Sequence, residues 1–143
     1  MREILFRGKR TDNYQWIKGY FVEIRQGSEL IPHIIPFNSL DQNLNVCPRY
    51  RVFCETVEQY TGFNDKNSKE IFEGDIVKVT YASSNGEIRT EKTFVKYDKV
   101  DCCFYPMRWN ESCEWCDYST EIKEIEIIGN IHDNPELLSE VQK

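Results

Sequence analysis

Histidine is scarce in this chain, which has only two histidines, His33 and His132, among its 143 residues. His33 lies between prolines in an apolar run, so we expect it to pack at the rim of a core rather than to act as a base. His132 precedes Asp133, but neighbours in sequence do not define a catalytic dyad, because the geometry of the folded chain decides that contact. No serine has a G-x-S-x-G context and no cysteine lies in a nucleophile motif, so acyl transfer has no support.

Other familiar motifs are also missing. The chain contains neither of the common phosphate-binding loops, G-x-x-x-x-G-K-[ST] and G-x-G-x-x-G. No apolar run approaches the ~20 residues that span a bilayer. The first ten residues, MREILFRGKR, lack the apolar region of a signal peptide. We therefore expect a cytoplasmic protein that has no cofactor and is not an enzyme.

Charge is unevenly distributed along an acidic chain. The net charge of −6 disfavours non-specific binding to nucleic acid. Residues 1–25 carry six basic and three acidic side chains, whereas residues 111–143 carry two basic and nine acidic ones. We expect these two ends to attract each other within the fold or between subunits of a homo-oligomer. The alternative is a basic surface at one end of the molecule.

The cysteines allow a metal site but do not favour one. Four thiolates could hold a zinc ion tetrahedrally, and the candidates are Cys102, Cys103, Cys113 and Cys116. However, neighbouring side chains on a strand point to opposite faces, so Cys102 and Cys103 are poor partners for one ion. A second CxxC motif is absent, and Cys47 and Cys54 have no common ligand spacing. We therefore expect reduced thiols, either buried or incidental, and no metal.

The N-terminal part of the chain has the composition of β-strands. Residues 15–25, QWIKGYFVEIR, are rich in β-branched and aromatic side chains, and residues 3–8 predict a shorter strand. The intervening RTDN has turn chemistry, so the pair predicts a hairpin. Residues 30–37 are apolar but contain two prolines, which predicts an edge strand or an irregular cover. Residues 50–60 again favour a strand.

The C-terminal part predicts a second set of strands. Residues 75–82, DIVKVTYA, are followed by SSNG and a further apolar and β-branched run, which is the strongest short-range signal for a hairpin. Additional strands are expected within residues 102–109 and 121–131. The segment NPELLSEV predicts a short helix with Asn134 as its N-cap and Pro135 at its first position.

Six to eight short strands and little helix define the fold class as mainly β, or α+β at most. A turn-rich stretch, residues 62–74, divides the chain near its middle. We expect a single domain over residues 1–143 with two small β-rich subdomains, residues 1–60 and 61–143. The second is expected to resemble an SH3-like barrel and to end in the short helix.

The turn-rich stretch is also the candidate recognition loop. Its predicted exposed tip contains Asp65, Lys66, Asn67 and Lys69, and the apolar pair Ile71 and Phe72 should anchor it in the core. Asp75 follows the second bend. The pair Glu73 and Asp75 could serve as an acid and a base or as a weak metal site, but local turn formation explains the same composition. A purely structural role for the whole loop is the alternative.

Four stretches of the chain resemble the YopX family of bacteriophage and prophage proteins. They are MREILFRGKR at the start, YQWIKGYFV at 14–22, TVEQYTGFNDKNSKEIFEGDIVKV at 56–79 and IIGNIHDNPELL at 127–138. The resemblance implies a phage-encoded protein in the bacterial host's cytoplasm, mainly β and SH3-like in its second part. It implies no activity, cofactor or catalytic residue. Family members usually have glycine where this chain has Ser68.

The leading functional hypothesis is a non-enzymatic accessory protein that binds a protein of the phage or the host. Exposed aromatic side chains would anchor such a partner, and the candidates are Tyr14, Trp16, Trp109 and Trp115. The alternative is a nucleic-acid-binding β-barrel in which cations flank stacking aromatics. Its candidate residues are Arg2, Arg7, Lys9, Arg10 and Lys18 with Tyr14 and Trp16. A self-assembling structural component is a further hypothesis.

Overall fold

The structure is a computed structural model that describes residues 3–37, 48–107 and 120–141. Its strands are β1 (Phe6–Lys9), β2 (Trp16–Gln26), β3 (Glu29–Pro36), β4 (Tyr50–Arg51), β5 (Glu58–Asn64), β6 (Glu70–Phe72), β7 (Asp75–Ser83), β8 (Ile88–Phe94), β9 (Lys96–Asp98), β10 (Cys103–Tyr105) and β11 (Thr120–Asn130). Two short 3-10 helices cover Cys54–Thr56 and Pro135–Glu140. The predicted fold class, mainly β, is confirmed, although the eleven strands of the described ranges exceed the six to eight expected.

The chain separates into two compact units, residues 1–62 and residues 63–143. In the first unit the strands are ordered β4-β3-β2-β1-β5. The predicted hairpin of β1 and β2 is confirmed, with Arg7 opposite Lys18 and Lys9 opposite Trp16. The core of this unit is made of side chains that are almost fully buried, namely Leu5, Ile31, Ile34, Val52 and Tyr60.

Strand β3 is not the edge strand that its prolines predict. It pairs with β2 over its full length, from Gly19 opposite Pro36 to Gln26 opposite Glu29. On its other side it pairs with β4, but only at two positions. Because β4 is so short, β3 loses few hydrogen bonds through its two prolines. The neighbouring glycine, Gly19, is required here, since a Cβ at that position would lie 1.9 Å from the carbonyl oxygen of Ile35.

Residues 50–60 form an interrupted segment instead of the continuous strand that was predicted. Strand β4 ends at Arg51, the 3-10 helix at Cys54–Thr56 follows, and β5 starts at Glu58. The hydroxyl of Thr56 stabilises the interruption, because it donates to the carbonyl of Phe53 at 2.7 Å and accepts from the backbone N–H of Lys9 at 2.9 Å.

The second unit is built around a sheet ordered β11-β7-β8. The predicted hairpin of β7 and β8 is confirmed, with the left-handed residue Gly86 in its turn. Strands β9 and β10 form a separate two-stranded sheet. The core cluster contains Ile71, Val77, Val79, Tyr81, Val95, Phe104 and Met107. Over residues 63–107 and 120–141 these sheets do not close into a barrel, so the SH3-like barrel stays a prediction.

The predicted C-terminal helix is a 3-10 helix, and its capping differs from expectation. Asn134 precedes it, but the side chain makes no capping hydrogen bond. Its Oδ1 instead accepts from the backbone N–H of Asn130 at 3.3 Å, so the amide is used to fasten the turn after β11. Leu137 lies against Gly129, where a Cβ would be 2.8 Å from its side chain. Packing on β11 therefore replaces the cap that the sequence predicts.

Candidate functional site

One face of the first unit's sheet is basic, and strand register creates it. Residues directly opposite each other in antiparallel strands project from the same face. Arg7 is opposite Lys18, and Lys9 is opposite Trp16. Val22, two residues beyond Tyr20, is opposite His33, which is in turn opposite Arg51. We call this surface the basic face and define it by Arg7, Lys9, Trp16, Lys18, Tyr20, His33 and Arg51.

The alternation of side chains sorts charge between the two faces of β1 to β5. The basic face carries four cations, and its register also gives it two acids, Glu29 and Glu58. The opposite face of the same strands carries only Glu23 and Arg25, whose charges cancel. A chain with a net charge of −6 therefore presents a positive surface on one side of its first sheet.

Arg7 belongs to the basic face, but its side chain is mostly buried and its charge is paired within the protein. Its side chain is only 14% exposed, and its Nε lies 2.6 Å from Oε2 of Glu58, whose side chain is 5% exposed. The guanidinium carbon is 4.8 Å from the centroid of the Trp16 ring. A buried pair of this kind positions its neighbours, and removing one partner would leave an uncompensated charge. The prediction that Arg7 contacts nucleic acid conflicts with this burial.

The exposed cation at the centre of the face is Lys18, with the ring of Tyr20 beside it, 47% exposed. Lys9 is half-buried, and its Nζ lies 5.5 Å from the centroid of Trp16. The indole is therefore covered in part by cations of the protein itself. Lys18 and Tyr20 are therefore exposed side chains on the β2 part of this face.

The remaining predicted contact residues of the first unit lie near the β1–β2 turn. Tyr14 has a φ of 60° and is 69% exposed, and its ring stacks on Phe53 with centroids 5.5 Å apart. Arg10 lies 3.9 Å from the ring centroid of Tyr50. The hydrogen bond from Arg10 to Asp12 raises the pKa of the guanidinium. Arg2, Trp109 and Trp115 lie outside the described residues.

In the second unit, Asp65 organises the predicted recognition loop. Its Oδ1 accepts from the backbone N–H groups of Asn67 at 2.8 Å and Lys69 at 2.9 Å. Its Oδ2 accepts from the backbone N–H of Ile127 at 3.2 Å. Burial acts to raise the pKa of Asp65, but these three hydrogen bonds and the charge of Lys69 outweigh it, so the pKa is lowered. Asp65 is 7% exposed, so its predicted place in the exposed tip is wrong.

The loop also covers the edge of β11. The backbone N–H of Lys66 donates to the carbonyl of Ile125 at 2.8 Å, two residues before Ile127, whose N–H donates to Asp65. The Nζ of Lys66 lies 3.0 Å from Glu124 and 2.7 Å from Glu126, and these two carboxylates raise its pKa, Glu126 most strongly. The loop thus satisfies backbone groups that an unpaired strand edge would expose. Asp65 and Lys66 therefore both stabilise the fold through their contacts with β11.

The other predicted loop residues divide between surface and interior. Asn67 and Lys69 are exposed, as predicted. Ser68 has a φ of 63°, so a serine takes the left-handed conformation at this position. Ile71 and Phe72 are 0% and 2% exposed, which confirms that they anchor the loop in the core. Recognition by this loop stays a prediction, and the described contacts favour a structural role.

Asp75 is a buried structural acceptor. It is 2% exposed, its Oδ2 accepts from the backbone N–H of Phe72 at 2.8 Å, and its Oδ1 lies 3.5 Å from the amide nitrogen of Asn130. The oxygen of that amide accepts from the backbone N–H of His132 at 2.9 Å. Asp75 and Asn130 therefore connect the bend before β7 to the turn after β11. This use of the carboxylate supports the structural interpretation of the Glu73 and Asp75 pair.

The cysteine positions give the zinc hypothesis no support. Cys54 and Cys102 are exposed and Cys103 is half-buried, so the first two agree with the expected alternative of incidental thiols and not with that of buried ones. Cys47, Cys113 and Cys116 lie outside the described residues. Within the described part of the chain, no three side chains of histidine, cysteine, aspartate or glutamate are arranged to hold a metal ion.

Sequence reasoning missed a carboxylate shared by two tyrosines. The hydroxyl of Tyr81 donates to Oε1 of Glu91 at 3.0 Å, and that of Tyr105 donates to the same oxygen at 3.3 Å. Burial, together with the negative charge of Glu91, raises the pKa of Tyr81. Tyr81 is therefore a neutral hydrogen-bond donor and not a nucleophile. No short motif identifies this cluster, because its members come from three strands.

The folded chain is thus a small β-rich protein of two units, each built on a sheet. The carboxylates of Asp65 and Asp75 accept hydrogen bonds at both oxygens, and one face of the first unit's sheet is basic. The family model described as YopX protein matches residues 5–139, and the chain belongs to the YopX family. A crystal structure of protein EF1440 from Enterococcus faecalis is similar, with 22% identity and a TM-score of 0.49, covering 96% of this chain and 99% of that one. No curated protein sequence matches the chain. Among the helices in the described ranges, none has the length and hydropathy of a membrane span.

Proposed function

We propose that this YopX-family protein is a non-enzymatic accessory protein of a phage or prophage that binds an acidic partner protein. The observation that carries the proposal is the sorting of charge by the β1–β4 register, which places Lys18 and Arg51 on the same face as the exposed ring of Tyr20. An exposed aromatic flanked by cations is a common anchor in protein interfaces.

The polar groups of the second unit support the non-enzymatic part of the proposal. Both oxygens of Asp65 and Asp75 accept hydrogen bonds from the protein. A general base needs a lone pair directed at a substrate proton. The lone pairs of these two carboxylates instead accept hydrogen bonds from backbone and amide groups, which fix the loop and the turn after β11.

An acidic protein is a better match to the basic face than nucleic acid is. Trp16 already contacts two cations of the chain, so its ring has lost open surface for stacking on bases. The net charge of −6 repels any polyanion, and it opposes a DNA phosphate backbone, with one negative charge per ~1.7 Å of duplex, more strongly than a less densely charged acidic protein. Nucleic acid remains the second candidate function, since the same cations attract phosphate.

Two exposed residues on β2 provide a matched test. Lys18 lies on the basic face and Arg25 on the opposite face of the same strand. Tagged wild-type protein, Lys18→Glu and Arg25→Glu would be used to capture partners from nuclease-treated lysate of the host carrying the phage. We expect the same specific protein with wild type and Arg25→Glu, and its loss with Lys18→Glu. Capture that disappears on nuclease treatment would instead favour the nucleic-acid function.

A further inference from the structure

A shallow pocket lies at one end of the basic face. It has a volume of about 210 Å³ and is lined by Ile24, Gln26, Ile31, His33, Arg49 and Arg51. The register explains the assembly, because Ile24 is opposite Ile31 while His33 is opposite Arg51. The lining thus combines two aliphatic side chains with four side chains that carry nitrogen. At ~30 Å³ per water molecule, the volume equals about seven waters, which is enough for one small oxyanion.

The charges that line this pocket are all positive. Arg49 and Arg51 are both exposed, and neither makes an ion pair with any residue in the described ranges. Among the described residues that line the pocket there is no carboxylate. This differs from the arginines of β1 and its turn, since Arg7 pairs with Glu58 and Arg10 pairs with Asp12. Two guanidinium groups therefore face the pocket without a compensating charge from the described chain.

The orientation of His33 adds a third nitrogen. Its Nδ1 lies 2.9 Å from the carbonyl oxygen of Ile31, and a carbonyl oxygen only accepts, so Nδ1 carries the proton of that bond. The ring is thereby held on its own strand. Nε2 makes no hydrogen bond to a described residue, and it becomes a donor when the ring is protonated.

We propose that this pocket binds a phosphoryl group, with Arg49 and Arg51 as its ligands and His33 as a third contact. Guanidinium groups bind phosphate oxygens in a bidentate manner, and two of them match the charge of a phosphate dianion. A carboxylate carries a single charge and would leave one guanidinium uncompensated. The amide of Gln26 can donate to a remaining oxygen. Arg51 and His33 also belong to the basic face, but phosphate binding is measured on the purified protein alone, so its outcome does not depend on an acidic partner protein.

Nuclear magnetic resonance titration tests this proposal directly. The probes are inorganic phosphate, a phosphoserine peptide with its unphosphorylated counterpart, and a nucleoside monophosphate. Saturable shifts should be confined to Arg49, Arg51 and His33 and their neighbours on β2 and β3. The ranking of the phosphoserine peptide against the nucleoside monophosphate and free phosphate then identifies the source of the phosphoryl group. No saturable shift with any phosphorylated probe would overturn the proposal.

Variants make the same titration specific. Arg51→Ala and Arg49→Ala should each weaken phosphate binding by about tenfold or more, because each removes charge-assisted hydrogen bonds. Both side chains are exposed, so the fold should be retained, as thermal unfolding would verify. His33→Asn keeps a donor for the Ile31 carbonyl but removes Nε2, and it should weaken binding less. Arg25→Ala, on the opposite face of β2, should bind phosphate like wild type, and equal weakening by this variant and the pocket variants would contradict the site.

Discussion

The carboxylate of Asp65 accepts a hydrogen bond from the backbone N–H of Ile127, 62 residues further along the chain, at 3.2 Å. The same carboxylate binds the N–H groups of Asn67 and Lys69 within its own loop. One side chain therefore closes the loop and attaches it to the edge of β11. Asp65 therefore stabilises the second unit, and its contribution can be measured as a change in the free energy of unfolding.

Replacing Asp65 with alanine should lower the free energy of unfolding by about 2–4 kcal/mol. The substitution leaves three backbone donors without their charged acceptor, and such hydrogen bonds are the stronger ones. Urea denaturation of the whole chain measures the loss. Asn67→Ala is the control, because its exposed side chain can be removed at a cost within about 0.5 kcal/mol. Equal stability of the two variants would contradict the role of Asp65.

The same carboxylate makes stability depend on acid pH. Burial opposes its charge, but hydrogen bonds from backbone N–H groups hold its pKa below the ordinary 3.8. The unfolded chain then takes up this proton first as the pH falls. The stabilisation is complete above the unfolded pKa and is lost as the pH falls through the folded one. The advantage of wild type over Asp65→Asn should shrink between pH ~7 and pH ~3, and a constant difference would refute this explanation.

Ser68 stores backbone strain that glycine would relieve. Its φ of 63° lies in the left-handed region, which costs an ordinary residue roughly 1–2 kcal/mol. Ser68→Gly should therefore raise the free energy of unfolding by about 0.5–1 kcal/mol, after the larger entropy of glycine in the unfolded chain is subtracted. Asn67 lacks a positive φ, so Asn67→Gly should be destabilising. Stabilisation by both substitutions, or by neither, would show that conformation at position 68 is not the cause.

Asp75 should contribute to the free energy of unfolding, because its carboxylate holds the bend before β7. Asp75→Ala removes the acceptor of the buried N–H of Phe72, and we expect a loss of about 2–4 kcal/mol. Asp75→Asn keeps one acceptor oxygen and should cost less. Glu73→Ala, at a half-buried position two residues earlier, provides the comparison and should cost less than about 1 kcal/mol. Chemical denaturation distinguishes these outcomes.

Local chemistry in the sequence predicts the two hairpins correctly. Turn residues between strands with alternating side chains identify both β1–β2 and β7–β8, because each hairpin is encoded within a short stretch of chain. The position of β3 within the sheet was predicted wrongly for a related reason. Its prolines argue for an edge, but the very short β4 allows a proline-containing strand to have a neighbour on each side.

The candidate sites could be predicted only in part from the sequence, because they depend on contacts between residues far apart in the chain. The burial of Asp65 depends on Ile127, which no local pattern connects to the loop. The basic face shows the same limit, since the pairing of His33 with Arg51 joins two segments on either side of residues 38–47. The alternation of cations at Arg7 and Lys9 was visible in the sequence, but their common face with Arg51 required the strand register.

Binding between purified protein and its captured partner tests the central claim most directly. Calorimetric titration at low and high salt would compare wild type, Lys18→Glu and Arg25→Glu. Contact through the basic face predicts that Lys18→Glu weakens binding by about tenfold or more, that Arg25→Glu has little effect, and that salt weakens wild-type binding. Equal affinities for the three proteins, unchanged by salt, would contradict recognition of an acidic partner by this face.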